Sequence, residues 1–478
     1  MATDSTLNHD ELYIEGRWTP TADRIDVTDL TDDTTFASVS AATPADAEDA
    51  LAAAQAAEAE MRETTVVQRA EWVTAIADGI EARKAELADV IVREAGKPIS
   101  SARGEVDAAA ERFRRAAEEA RSLKGEYIEG TTEGHEGWRA IVRHEPVGTA
   151  LCITPYNYPL STTALQVAPA LAAGNAVILK PASKTPISAA ILAEIIVDAA
   201  EDLPEGAFGF VPGRASEIGD VLAGDDRIDA IAMTGSSGAG KHVAGVSGMV
   251  ELHMELGGNA PAIVFPDADL EAASSAAASG SLKYAGQRCS AVSRVLVHED
   301  AHDELVDRID AEMEGFEPGD LFDEETSLGP LISHEQAEWV EELVEDAIDR
   351  GATLVRGGSR SGRFFEPTLL ADVPQDARIV HEEQFGPVVA VTTFDDEAGA
   401  LEVANGGSLG LDAAVFTADY DRAMRVADRL EVGGVRINGA PSHGLGDIPF
   451  GGTKDSGIGR EGIGYTIEAF VERKSIIL

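Results

Sequence analysis

Cys289 stands in the run Gly286-Gln287-Arg288-Cys289-Ser290, and a thiolate there is a ready nucleophile for a carbonyl carbon. The chain has one other cysteine, Cys152. Upstream by 289 − 255 = 34 residues, Met254-Glu255-Leu256-Gly257-Gly258-Asn259 offers a carboxylate followed by two glycines. A carboxylate suits proton abstraction from a thiol or a water, and paired glycines allow a tight bend with close backbone approach. In Thr154-Pro155-Tyr156-Asn157-Tyr158-Pro159 an amide sits between two prolines, and an amide N–H can stabilise an oxyanion. Each stretch alone has a plainer reading: a small buried cysteine, a bend, a Pro-Asn turn.

Two further stretches suit a phosphate-bearing ligand. Leu179-Lys180-Pro181-Ala182-Ser183 ends an apolar run with a lysine able to meet a ribose hydroxyl or phosphate. Thr234-Gly235-Ser236-Ser237-Gly238-Ala239-Gly240-Lys241-His242 opens a helix, and Gly235–Lys241 matches the G-x-x-x-x-G-K of a P-loop. A P-loop continues with Ser or Thr to hold magnesium, whereas this chain has His242. A helix N-terminus approaching a dinucleotide phosphate is the competing reading.

Taken together, in this order and spacing and over nearly the whole chain, these motifs resemble the NAD(P)-dependent aldehyde dehydrogenase superfamily. The stretches Glu382-Glu383-Gln384-Phe385-Gly386-Pro387 and Ile448-Pro449-Phe450-Gly451-Gly452 extend the likeness. The resemblance implies Cys289 as nucleophile, Glu255 as the base for water, and Asn157 with the Cys289 N–H as oxyanion donors. It implies a cofactor surface of Thr154, Pro155, Tyr156, Lys180, Ser183, Gly213, Thr234, Gly235, Ser236, Leu256, Glu383 and Phe385, with Phe385 against the nicotinamide ring. NADP or NAD is the expected cofactor and no metal is needed. NADP is favoured because position 183, where NAD-preferring relatives often carry glutamate, is Ser183 beside Lys184. The plainer reading of Ser183 is a cap for the helix beginning near Pro186.

The implied reaction is oxidation of an aldehyde to the acid through a cysteine thioester hydrolysed by Glu255-activated water. A CoA-acylating relative, which needs no base for water, is one alternative, and a P-loop NTPase is the other. Tyr158 and Arg288 resemble residues of the non-phosphorylating glyceraldehyde-3-phosphate, lactaldehyde and semialdehyde dehydrogenases, which suggests a small anionic aldehyde. Two departures from the phosphate-binding subgroup stand out: His443 aligns where it carries an arginine, and its helical arginine aligns with an alanine.

The elements that must position these residues alternate. Glu11–Trp18 reads as a hairpin about Glu15-Gly16, and Pro44–Arg121 as several amphipathic helices, with Trp72, Ile76 and Ile80 at helical spacing. Gly125–His144 reads as an extended hairpin. Strands at 150–154, 176–179, 208–211 and 228–233, with a helix at 187–200, imply a parallel sheet with ligands beyond its carboxyl ends. Apolar stretches at 260–265 and 292–297, a helix from His302 to Phe316, and a strand-like tail at 470–478 complete the reading. The tail suits pairing with another subunit. An α/β fold follows, with a Rossmann-type cofactor domain (1–121 and 145–256), an α/β catalytic domain (257–440) and a small β oligomerisation arm (122–144 and 455–478). The resemblance implies a homo-oligomer, dimer or tetramer, with homotetramer the specific expectation.

Composition bounds the partners. With 38 basic against 85 acidic residues the formal charge is −47 over 478 residues, which repels nucleic acid and anionic membrane. The acids are dispersed, as in the solvated coat of a halophile, and form no acidic tail. No run of 18 apolar residues suggests a membrane span. Two cysteines outside any C-x-x-C pair, with no signal-like N-terminus, suggest a cytoplasmic protein.

Overall fold

The computed structural model describes residues 7–9, 11–442, 446 and 448–478. Among these, two large sheets dominate. The eight-stranded sheet has at its centre the parallel strands Thr149–Ile153, Ala176–Lys180, Phe208–Phe210, Ala230–Thr234 and Glu251–Glu255. Its edges are antiparallel: the hairpin Glu11–Ile14/Arg17–Pro20 on one side and the short strand Gly457–Ile458 on the other. That hairpin turns through Glu15 and Gly16, both at positive φ.

Four helices, Pro44–Glu63, Val66–Ala82, Lys84–Ala95 and Ile99–Ser122, account for the Ala- and Glu-rich region. Thr43 with Asp46, and Thr65 with Gln68, form capping boxes that start the first two. Gly96, left-handed at φ 69°, ends the third, and Pro98 starts the fourth. Helix Ser161–Ala173 is buried along its whole length. It therefore has no polar face, which is why amphipathic periodicity did not reveal it.

The second sheet is seven-stranded and holds Ala260–Val264 beside Val292–His298 and Asp412–Phe416. Helix His302–Met313 packs on it and ends three residues before the expected Phe316, with Phe316 half-buried against the core. The tail Val471–Ile477 pairs antiparallel with Arg139–Pro146 of the same chain and forms one edge of a three-stranded sheet with Glu126–Glu129. No helix among the described residues is long and apolar enough to cross a membrane.

Candidate active site

Glu255 is the last residue of its strand, and the chain bends at Gly257-Gly258 into the first strand of the second sheet. The bend requires glycine. A Cβ on Gly258 would lie 2.1 Å from the Cys289 carbonyl oxygen, and one on Gly257 would lie 2.7 Å from Glu383 Oε2. Buried Ser456 holds the bend in place: its hydroxyl donates to the Gly257 carbonyl at 2.6 Å and accepts from the Gly410 N–H at 2.8 Å.

Cys289 follows a turn in which Tyr284 and Ala285 take φ of 56° and 50°. Such left-handed conformations cost a side-chain-bearing residue about 1–2 kcal/mol each. Gln287, fully buried, anchors the next step by accepting from Ile332 N–H at 2.8 Å and donating to the Pro330 carbonyl. Asn157 Nδ2 donates to the Gln287 carbonyl at 3.0 Å, so the amide is already beside the nucleophile's loop. The Cys289 N–H makes no backbone bond among the described residues.

One cavity of about 540 Å³ collects Cys289, Glu255, Asn157, Tyr158 and Arg288. Its size suits a small ligand. The Cys289 thiol and the Glu255 carboxyl line the same cavity. Burial first, then the Glu255 charge, push the thiol well above its ordinary pKa. Burial first, and then the nearby Glu461, raise Glu255 in turn. Both shifts disfavour the charged forms, so burial does not by itself activate the thiol. Cys152 lies buried in the core and raised by desolvation alone, which leaves it inert.

Four residues of this cavity carried no motif signal: Lys97, Glu105, Arg112 and Glu461. Helix Ile99–Ser122 brings one arginine, Arg112, to the wall. Its Nη1 donates to the Ser161 carbonyl, while its Nε has no partner among the described residues. Burial raises Glu461 to about 7, with Arg112 opposing, and Thr234 Oγ1 donates to it at 3.3 Å. Arg288 and Lys283 form no ion pair with a described residue. His443 lies outside the described residues.

A second surface gathers the remaining sequence candidates. Lys180 ends its strand buried, and desolvation alone lowers its pKa to about 8. Ser183 donates to the Gly213 carbonyl at 3.0 Å. Ser183 does not cap the following helix, because Glu94 accepts from Ile187 N–H and Ser188 N–H there. Ser236 caps helix Ser237–Val246 through Ala239 N–H, and Ser237 Oγ is buried without a partner beside Gly257. Leu256 packs under that helix against Gly240, and the Glu255 carbonyl accepts from Gly235 N–H at 3.1 Å. Glu383 Oε1 accepts from Gly258 N–H at 2.9 Å, and burial raises this carboxyl to about 7. Tyr156 meets Phe385 edge to face at 6.0 Å. Thr154 and Pro155 are buried at the end of the neighbouring strand. A buried lysine and a buried helix-N-terminal hydroxyl, both without a partner among the described residues, fit a dinucleotide together with the glycine cradle. The P-loop lysine is engaged otherwise: Lys241 is ion-paired with Asp455, and His242 bonds Asp220.

This chain belongs to the aldehyde dehydrogenase family, whose sequence profile matches residues 18–476. It is an NAD(P)-dependent aldehyde dehydrogenase. A 3-sulfolactaldehyde dehydrogenase of Priestia aryabhattai is 36% identical over 468 residues, covering 98% of this chain and 97% of the relative. An NADP-dependent glyceraldehyde-3-phosphate dehydrogenase of Streptococcus equinus is 38% identical over 418 residues, 87% of each chain. The crystal structure of NADP-dependent glyceraldehyde-3-phosphate dehydrogenase from Bacillus halodurans C-125, complexed with NADP, superimposes with a TM-score of 0.96. It is 35% identical and covers 98% of this chain and 99% of that one. Neither the NTPase nor the CoA-acylating alternative finds support in them.

Proposed function

We propose that the substrate is a small anionic aldehyde: glyceraldehyde 3-phosphate, lactaldehyde bearing an acidic group, or a semialdehyde. One observation carries this reading. The cavity that holds Cys289 and Glu255 is walled by Arg112, Arg288 and Lys283, and the latter two have no carboxylate partner among the described residues. Two of the relatives are named for substrates with a phosphate or a sulfonate on the third carbon, which suits such a wall.

In this reading the Cys289 thiol gives up its proton to its surroundings or through Glu255, the thiolate attacks the aldehyde carbon, and Asn157 Nδ2 with the Cys289 N–H receives the developing oxyanion. Asn157 need only transfer its hydrogen bond from the Gln287 carbonyl. NADP or NAD, when bound, accepts the hydride. The thioester left on Cys289 faces Glu255, whose carboxylate takes a proton from water for hydrolysis. Lys180, Ser183 and Gly213 hold the adenosine side, while Glu383 and Phe385 hold the nicotinamide side. NADP is favoured because Ser183 is neutral and Lys184 lies beside it. The segments 1–121 and 145–256 serve as the cofactor domain, 257–440 as the catalytic domain, and 122–144 with 455–478 as the arm of a homotetramer. Dispersed acidity makes it a halophile's cytoplasmic enzyme.

A kinetic panel tests the substrate assignment: glyceraldehyde 3-phosphate, 3-sulfolactaldehyde, lactaldehyde, succinate semialdehyde and a neutral aldehyde such as propanal, each with both cofactors in concentrated potassium chloride. Higher kcat/KM for the anionic members is expected. A preference for propanal would refute it.

A further inference from the structure

Lys97 is among the most completely buried large side chains, with 2% of its surface exposed, and yet it lies on the wall of the catalytic cavity. Its ammonium stands 3.6 Å from the centroid of the Tyr158 ring and 4.4 Å from that of Tyr284. The two rings meet at 6.1 Å and 67°. Lys97 Nζ also donates to Glu105 Oε2, while Glu105 Oε1 accepts from Leu160 N–H at 3.1 Å and Ser161 N–H at 3.2 Å. Tyr284 makes a second tie, donating its hydroxyl to the Ala95 carbonyl at 2.7 Å.

The contacts converge on two loops. Tyr158, Leu160 and Ser161 directly follow Asn157, and Tyr284 begins the left-handed turn into Cys289. A strained turn persists only where its surroundings hold it. A buried ion pair adds little stability over a well-packed apolar pair of equal volume, so bulk stability is a weak reason for a charge here. A cation between two aromatic faces, by contrast, fixes both rings at once. We infer that Lys97 is a positioning residue for the oxyanion site, clamping the loop of Asn157 to the loop of Cys289 through Tyr158, Tyr284 and Glu105. The inference rests on Cys289 being the nucleophile and Asn157 an oxyanion donor.

Two rates separate this role from a general loss of structure. The pre-steady-state burst of reduced cofactor reports acylation, which needs the oxyanion site. Alkylation of Cys289 by iodoacetamide forms no oxyanion and reports the thiol alone. K97M leaves Glu105 buried without its partner and is at risk of misfolding, so the double variant K97M/E105Q, which buries no lone charge, carries the test. It is expected to slow the burst by roughly 10- to 100-fold, the scale of a small misplacement of catalytic groups. Alkylation rate and NADP affinity are expected to stay at wild-type values. K97R, which keeps a cation for both rings, is expected to fall between the two. A folded double variant with a wild-type burst, or one whose burst and alkylation fall together, would overturn the inference. Wild-type enzyme that still oxidises aldehyde after full alkylation of Cys289 would instead overturn the nucleophile reading itself.

Discussion

A thiol reacts only after its proton leaves, and in this site Cys289 and Glu255 are both held above their ordinary pKa values. The Glu255 charge favours the protonated thiol, so removing that charge lowers the thiol's pKa. E255Q is therefore expected to shift the pH midpoint of Cys289 alkylation downward, and a shift upward would make Glu255 the group that activates the thiol. The same variant is expected to release one rapid equivalent of reduced cofactor and then stall, because an amide cannot take a proton from water. Unchanged steady-state turnover would contradict that role. Cys289→Ala is expected to lose at least about a thousandfold in turnover while keeping NADP affinity, measurable by fluorescence titration. Cys289, Glu255 and Asn157 were legible in the sequence because their motifs follow one another in the order and spacing of the family they resemble, although each stretch alone had a plainer reading. Lys97, Arg112 and Glu461 were not. Their side chains reach the cavity from a loop between helices, a helix interior and a distant bridge, places where a single charge looks like ordinary surface.

At the scale of elements, the bend at Gly257-Gly258 joins the two sheets and sets the distance between base and nucleophile. A methyl group on Gly258 would overlap the Cys289 carbonyl at 2.1 Å, a contact with backbone that cannot rotate away. Gly258→Ala is expected to cost about 1–3 kcal/mol of stability, the usual range for overpacking. A larger loss is expected in the acylation rate, and wild-type burst kinetics in this variant would show that the bend can widen freely. Of the strands flanking this bend, Ala260–Val264 was legible from its apolar run, whereas Glu251–Glu255, with a glutamate at each end and a histidine at its centre, was not read as a strand. The wholly buried helix Ser161–Ala173 escaped, since a helix without a polar face has no period to read. The loop after strand Ala176–Lys180 makes a separate prediction. Ser183 is tied to Gly213 and leaves the next helix to Glu94, so Ser183→Glu acts on the cofactor surface and spares the helix start. Its ratio of kcat/KM for NADP to that for NAD is expected to fall at least about tenfold, because a carboxylate repels the 2′-phosphate. An unmoved ratio would remove Ser183 from that surface.

Over the whole molecule, 38 basic residues cannot neutralise 85 acidic ones, even though arginine after arginine is already committed to a carboxylate. Arg83 bridges Glu86 and Glu194, Arg227 bridges Asp225 and Glu48, and Arg350 bridges Asp346 and Asp376. The surplus acids face one another across solvent, where repulsion reaches about 10 Å at 0.1 M salt and about 3 Å at 1 M. Unfolding moves these charges apart, so unscreened repulsion favours the unfolded chain and salt removes that advantage. The melting temperature is therefore expected to rise by several degrees or more between millimolar and molar potassium chloride. Burst amplitude at a fixed temperature should rise with it as the folded fraction grows. Excluded-solute effects also stabilise proteins, and sulfate is stronger than chloride in this respect. Matching potassium chloride and sodium chloride against sucrose separates the two causes: screening predicts a response to either chloride already below about 0.5 M, where the Debye length is shrinking fastest, and little response to sucrose. A melt that ignores chloride, or one that sucrose moves equally, would show that the acidic coat is stable without screening and would withdraw the halophile reading.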